Sequence, residues 1–285
     1  MLYRNFATTE EIDAEYDLNQ VVGDLTGYFE NYRSESAKAR DTLSCSLDVR
    51  FGPTVEETLD IFPANEPDAP IVVFIHGGYW RRLSAKEFSF VATGLVAHGI
   101  TVIATDYALC PKVTLPEITR QSRAAVAWVK TTSMKFNGDR DRIYVCGHSA
   151  GGHQGARVLC TNWTDDYGLA ADTVKGAYLI SGLYDLSPIR YAFVQQALQL
   201  NDGVIRRESP LFNIPARVGP MIADVGADES SEFRRQSADF VEAWQAAGLN
   251  GTYIEQAGKN HFTAVDDFVD PDSALCERVV SMVEA

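Results

Sequence analysis

Five consecutive apolar residues, Ile71-Val-Val-Phe-Ile75, narrow the architecture more than any other segment of the chain. A strand with one face in water alternates apolar and polar residues. An unbroken, β-branched run belongs to a strand covered on both faces. Further strands are expected at Ile100–Ala104, Ile143–Cys146, Gly176–Ile180, Met221–Val225 and Thr252–Glu255. Helical segments lie between them. Ser84-Ala-Lys-Glu87 has the spacing of a capping box and opens a helix with Phe88, Val91 and Leu95 on one face, ended by Gly99. Thr114-Leu-Pro-Glu117 caps a second helix that carries Ile118, Ala125 and Val129 on one face. Phe233, Phe240, Val241 and Trp244 stripe a helix after Met221–Val225, and a last helix follows Thr252–Glu255. Strands that alternate with helices pair in parallel through crossover connections. The expected fold is therefore α/β: a mostly parallel sheet of about eight strands with helices on both faces, joined by a hairpin of Leu47–Phe51 and Thr58–Phe62.

The 285 residues are expected to form one domain, 1–285. Residues 1–40 are polar but dotted with aromatics (Tyr3, Phe6, Tyr16, Tyr28, Phe29, Tyr32) and read as an N-terminal helical arm that could serve as a lid. Residues 183–219 are irregular, hold Pro188, Pro210 and Pro215, and read as a small cap inserted between strands. Lys and Arg total 25 against 39 Asp and Glu, a net charge of −14. Such a surface repels phosphate backbones and acidic lipids, and Arg81–Arg82 and Arg206–Arg207 are only isolated pairs. No nucleic-acid or membrane partner is expected. Met1 to Gln20 carry five acidic groups and no apolar signal-peptide core, and the five cysteines are odd in number and scattered. Reduced thiols and a cytoplasmic location are the expectation.

Gly147-His-Ser-Ala-Gly151 fits the pattern G-x-S-x-G, entered by a strand and left by a helix. A strand-to-helix elbow forces its central residue into strained geometry and stands Ser149 clear at the carboxyl end of the sheet. A glycine-rich turn with an incidental serine is the competing reading. His76-Gly-Gly-Tyr-Trp80 follows the buried strand Ile71–Ile75. Its glycines let backbone N–H groups approach a developing oxyanion, each donor worth roughly 3 kcal/mol at a transition state. The amide of Ala150 is a further donor. Tyr79 and Trp80 are candidate substrate walls, with Tyr16 and Tyr28 beside them if the arm folds over. His76 reads as a loop-bracing hydrogen bonder.

A serine nucleophile needs a base, and the base needs an orienting carboxylate; in this fold the order is Ser, acid, His. His261, after the last strand and at the start of the last helix, fits the base. His153 sits within the nucleophile helix and reads as packing, and His98 and His148 as structural. Asp228 and Glu229 compete for the acid, with Asp185 as a third candidate; spacing does not separate neighbours in one loop.

At these residues the sequence resembles the α/β-hydrolase superfamily, and within it the kynurenine formamidase (arylformamidase)-like branch beside the hormone-sensitive-lipase-like esterases. Three stretches carry the likeness: His76-Gly-Gly-Tyr-Trp80, Gly147-His-Ser-Ala-Gly-Gly152 and Glu229-Ser-Ser-Glu-Phe-Arg-Arg-Gln-Ser237. The resemblance implies Ser149 as nucleophile, His261 as base, Glu229 rather than Asp228 as acid, and Gly77, Gly78 and Ala150 as oxyanion donors. Asp106-Tyr-Ala-Leu-Cys-Pro111 resembles a structural loop of the family. Glu229 stands where animal formamidases carry Asp, and Cys110 lies inside that loop; both departures bear on the substrate.

The expected function is a serine hydrolase cleaving a small ester, amide or formamide through an acyl-enzyme. The narrower alternative is an arylformamidase acting on N-formylkynurenine, and the non-enzymatic one is a ligand receptor on the same fold. No metal or organic cofactor is implied, since H-E-x-x-H is absent. The expected partners are a small-molecule substrate and at most a second copy of the chain as a homodimer.

Overall fold

The structure, a computed structural model, describes residues 1–285. One eight-stranded sheet carries β1 (Ser46–Arg50), β2 (Thr58–Phe62), β3 (Ala69–Ile75), β4 (Thr101–Thr105), β5 (Gly138–His148), β6 (Ala177–Ile180), β7 (Met221–Gly226) and β8 (Gly251–Gln256). Their spatial order is β1-β2-β4-β3-β5-β6-β7-β8. β2 runs antiparallel to both β1 and β4, and every other pair is parallel. The α/β arrangement read from the sequence is thus the observed one. The continuous apolar run of β3 is explained by its position: it pairs with β4 on one side and β5 on the other, and Ile71 to Ile75 are all buried.

That position also creates the site. From β3 the chain crosses to β4 on one side, then returns to β5 on the other. Crossovers that leave in opposite directions open a crevice at the carboxyl ends of the two central strands. The register sets Ile75 opposite Gly147 and His148 opposite Ile180, so the loops after β3, β5 and β6 emerge side by side. Gly226 lies opposite Gln256, which brings out the loops after β7 and β8 along the same rim.

The helices are α1 (Thr9–Tyr16), α2 (Leu18–Val22), α3 (Thr26–Thr42), α4 (Ala92–Ala97), α5 (Leu115–Thr132), α6 (Ala150–Leu159), α7 (Trp163–Tyr167), α8 (Gln195–Leu198), α9 (Asp202–Glu208), α10 (Ser231–Ala246) and α11 (Ala274–Glu284). Two helix starts differ from the sequence reading. The Ser84 capping box forms, but it opens a 3-10 turn over Ala85–Val91 that passes into α4. The tighter winding sets Phe88 and Phe90 both against Tyr32 of α3. Thr114 precedes α5 without a side-chain cap, Pro116 filling the first turn instead.

Helices α1 to α3 are docked on the sheet domain rather than projecting from it. Ile12, Tyr16, Leu18, Leu25 and Tyr32 belong to the same buried apolar cluster as the strands. The Tyr32 hydroxyl donates to the Phe262 carbonyl at 2.6 Å, the Tyr16 hydroxyl to Glu232 at 2.7 Å, and Arg40 to the Lys86 carbonyl at 2.6 Å. Residues 183–219 lie between β6 and β7 and contain α8, α9 and two 3-10 turns. No helix is long and apolar enough to cross a membrane.

Candidate active site

β5 ends at His148 and α6 begins at Ala150, leaving Ser149 alone at the bend with φ 59° and ψ −120°. A non-glycine residue held there costs about 1–3 kcal/mol, supplied by the packing around it. Ser149 N donates to the Ile180 carbonyl at 2.8 Å, and His153 N donates to the Ser149 carbonyl at 3.1 Å. The flanking glycines are required by space. A Cβ on Gly151 would stand 1.9 Å from the Ile75 carbonyl oxygen, and one on Gly147 would stand 2.2 Å from that of Gly151. The Ser149 hydroxyl makes no hydrogen bond within the protein and lines a narrow cavity.

That cavity has a volume of about 310 Å³. Gly77, Gly78, Ser149 and His261 form its floor, and Leu18, Phe29 and Tyr32 of the N-terminal helices roof it. No residue of 183–219 lines it.

His261 lies in the loop after β8, just before a 3-10 turn over Thr263–Val269 rather than at the start of the last α-helix. Its Nδ1 donates to Glu229 Oε2 at 2.6 Å. The other oxygen of Glu229 accepts from Ser181 Oγ at 2.5 Å and from Gly226 N at 2.8 Å. Both partners are buried, with side-chain exposures of 2% and 0%. Asp228 points to solvent. Asp185 is engaged elsewhere, accepting from the Tyr3 hydroxyl at 2.7 Å and from Ser187 N at 2.8 Å. Of the three carboxylates weighed from the sequence, only Glu229 meets the imidazole. Ser181, at φ 53°, is a member of this network that sequence reasoning missed; nothing but its place after β6 could have flagged it.

The His261 ring is held between Phe233 and His148, at centroid distances of 4.5 and 4.8 Å. His148 Nε2 donates to the His261 carbonyl at 2.8 Å. Burial, helped by the neighbouring His261, pushes the His148 imidazole well below its ordinary pKa. It therefore stays neutral and serves as a latch between the β5 and β8 loops. His153 is likewise neutral, pushed down to about 3 by burial, with Nε2 on the Glu208 carbonyl.

The His76–Trp80 loop lies against the elbow. A Cβ on Gly77 would come within 3.1 Å of Ser149 Cβ. Gly78 has φ +116°, and a Cβ there would stand 2.1 Å from the Arg82 carbonyl oxygen. The N–H groups of Gly77 and Gly78 donate to no acceptor in the protein. Ala150 N, as the first residue of α6, has no intrahelical partner. His76 braces the loop as expected: Nδ1 donates to the Gly77 carbonyl at 2.7 Å, and the ring stacks on Tyr107 at 4.1 Å.

The aromatic walls require correction. Tyr79 does line the cavity, its hydroxyl donating to the Tyr16 carbonyl at 2.6 Å. Trp80 does not: it is wholly buried, its indole edge against His153 at 5.0 Å. Tyr16 and Tyr28 do not line it either. Tyr28 stacks on Phe262 at 5.0 Å, and the rotation of α3 presents Phe29 and Tyr32 instead. No group of three or more His, Cys, Asp or Glu side chains is arranged to hold a metal ion.

Kynurenine formamidase of Danio rerio is 34% identical over 258 residues, an alignment spanning 88% of this chain and 86% of that protein. The chain belongs to the kynurenine formamidase family of α/β-hydrolases. As a member of that family it is a serine hydrolase. Esterase LipC of Mycobacterium tuberculosis is 28% identical over 238 residues, 75% of this chain and 58% of that one. The family model BD-FAE matches residues 59–171, from β2 through the elbow and past α7. A crystal structure of a candidate thioesterase from a Silicibacter species superposes with TM-score 0.83 at 27% identity, covering 96% of this chain and 99% of that one.

Proposed function

We propose that the protein hydrolyses a small aryl formamide or ester by two-step acyl transfer, with Ser149 as nucleophile, His261 as general base and Glu229 as the orienting acid. The observation that carries this reading is the 2.6 Å Glu229–His261 hydrogen bond on the wall of the same cavity that exposes the Ser149 hydroxyl and two unpaired glycine amides. Glu229 binds the proton on Nδ1, which leaves Nε2 as the lone-pair nitrogen. Nε2 takes the Ser149 proton as Oγ bonds to the scissile carbonyl carbon. The carbonyl oxygen becomes an anion facing the N–H groups of Gly77, Gly78 and Ala150. The C–N or C–O bond then breaks, and His261 passes its proton to the departing amine or alcohol. Water, deprotonated by the same nitrogen, releases the acid and restores Ser149.

The formamide arm of this reading draws on the name of the Danio rerio relative, the ester arm on that of LipC. The aromatic lining of Phe29, Tyr32, Phe88 and Phe262 suits a flat substrate. Turnover of N-formylkynurenine, measured beside p-nitrophenyl acetate, separates the two arms. Ser149→Ala is expected to abolish both activities; a variant that keeps wild-type turnover of either removes Ser149 from the reaction. A cytoplasmic setting accords with five unpaired cysteines, three of them buried.

A further inference from the structure

The cavity over Ser149 contains one formal charge that neither the fold nor the acyl-transfer chemistry uses. Arg82 lines it, half-buried, yet its guanidinium enters no ion pair and donates no hydrogen bond within the protein, and Nε is closed off from solvent without an acceptor. Several arginines have found partners, while Arg123 and Arg234, whose Nε atoms are also closed off without an acceptor, do not line this cavity. Arg120 pairs with Glu57 and Glu117, Arg235 with Glu232 and Asp239, and Arg40 with the Lys86 carbonyl and Ser89. The one carboxylate in the field of Arg82, that of Asp17, already accepts from Asn19 and Gln20. The guanidinium instead faces the Phe29 ring, with Cζ 5.4 Å from the centroid, and Phe29 itself roofs the cavity.

The chain goes to some length to place this side chain. Gly78, Tyr79, Trp80 and Leu83 all have positive φ, at 116°, 52°, 56° and 68°. Three of the four are not glycine, so the turn is strained and is held by its surroundings. It closes through N–H groups of Arg81 and Arg82 onto the Gly78 carbonyl, at 3.1 and 3.2 Å. The result folds the Arg82 stem back onto the amide segment beside the nucleophile: a Cβ on Gly78 would come within 3.3 Å of Arg82 Cγ. A planar fork of N–H donors in a water-poor, aromatic pocket is matched to a carboxylate, which it can bind bidentately. In a chain of net charge −14, such a local cation is also what lets an anion enter.

We infer that Arg82 is a specificity residue that anchors a carboxylate on the substrate, so that the preferred substrate is an aromatic formamide or ester bearing a free carboxylate away from the bond that is cleaved. This rests on the hydrolase reading above. Two substrate pairs test it: N-formylkynurenine against its neutral α-carboxamide, and 4-acetoxybenzoate against 4-acetoxybenzamide. Within each pair the scissile group is the same. In the wild type, kcat/KM is expected to favour the acid by about 10- to 100-fold in at least one pair, mostly through KM, as for a charge-assisted hydrogen bond that is kept throughout the reaction. Arg82→Gln is expected to bring that ratio close to one, and Arg82→Lys to recover part of it. Because the ratio cancels any common loss from a disturbed loop, a merely structural arginine would leave it unchanged. A wild-type ratio at or below one in both pairs overturns the inference, as does a ratio that survives in Arg82→Gln. Ser149→Ala, run in parallel, separates the readings: retained turnover there removes the hydrolase mechanism, whereas an inactive Ser149→Ala with no acid preference removes only the role of Arg82. Turnover of neither pair by the wild type overturns both.

Discussion

Replacing Glu229 by Gln changes one atom and almost no volume, yet it reverses the hydrogen-bond logic around His261. The carboxylate accepts three bonds: from Nδ1 at 2.6 Å, from Ser181 at 2.5 Å and from Gly226 N at 2.8 Å. A glutamine keeps its carbonyl oxygen on the Ser181 and Gly226 donors and turns its NH2 toward Nδ1. Nδ1 must then accept, the proton moves to Nε2, and the imidazole offers Ser149 a donor where a base is needed. The expected loss in kcat is about 10⁴-fold, or about 5.4 kcal/mol at 1.36 kcal/mol per decade. The assay is steady-state kcat on p-nitrophenyl acetate, with the thermal midpoint of the variant measured to establish that it is folded. Asp228→Asn, on the exposed neighbour, is expected to stay within about twofold of wild type. A folded Glu229→Gln that loses less than tenfold, or an Asp228→Asn that loses a hundredfold, refutes the assignment.

Ser181→Ala removes one donor to the same buried carboxylate and is expected to cost about 2 kcal/mol, read as a fall in kcat of about 30-fold with KM little changed. Gly151→Ala forces a methyl to within 1.9 Å of the Ile75 carbonyl oxygen, so the elbow must part from β3; a loss of at least about 2 kcal/mol is expected in urea unfolding, and a variant as stable as wild type contradicts the packing. Asp224, buried on β7, has its carboxyl pushed up to about 6 because burial penalises the charge. The folded state therefore holds this proton more tightly than the unfolded chain, whose value is near 3.8. Its contribution to stability is complete below pH 3.8 and is lost as pH rises through about 6, a change of up to about 3 kcal/mol. Asp224→Asn is expected to gain on the wild type by that order between pH 4 and pH 8; a pH-independent difference between the two rules this out.

The sheet was legible because its central strands are apolar on both faces, a pattern that a strand half in water does not produce, and because capping boxes and glycines punctuate the helices. The positions of Ser149 at the elbow and His261 after the last strand were legible because strand, turn and helix order restricts which residues can stand there. The choice between Asp228 and Glu229 was not open to spacing. It depends on which of two adjacent side chains the turn after Gly226 directs inward, and family likeness rather than periodicity pointed to Glu229. Trp80 was misplaced for a related reason: the left-handed residues after Gly78 rotate the loop, sending Tyr79 to the cavity and Trp80 to His153. Ser181 and Arg82 carry no local signal, since each matters only through partners, or the lack of them, that come from distant segments.

The floor of the cavity comes from loops at the rim of the sheet, while Leu18, Phe29 and Tyr32 of its roof come from a separate stretch at the start of the chain. Part of what surrounds a bound molecule is therefore encoded far from Ser149 and His261, although Tyr79, Arg82, Phe88 and Phe262 add walls from the sheet domain. Exchanging Leu18 and Phe29 for the residues of a relative is expected to alter which compounds are admitted, whereas Tyr32 is tied through the Phe262 carbonyl to the loop that carries His261.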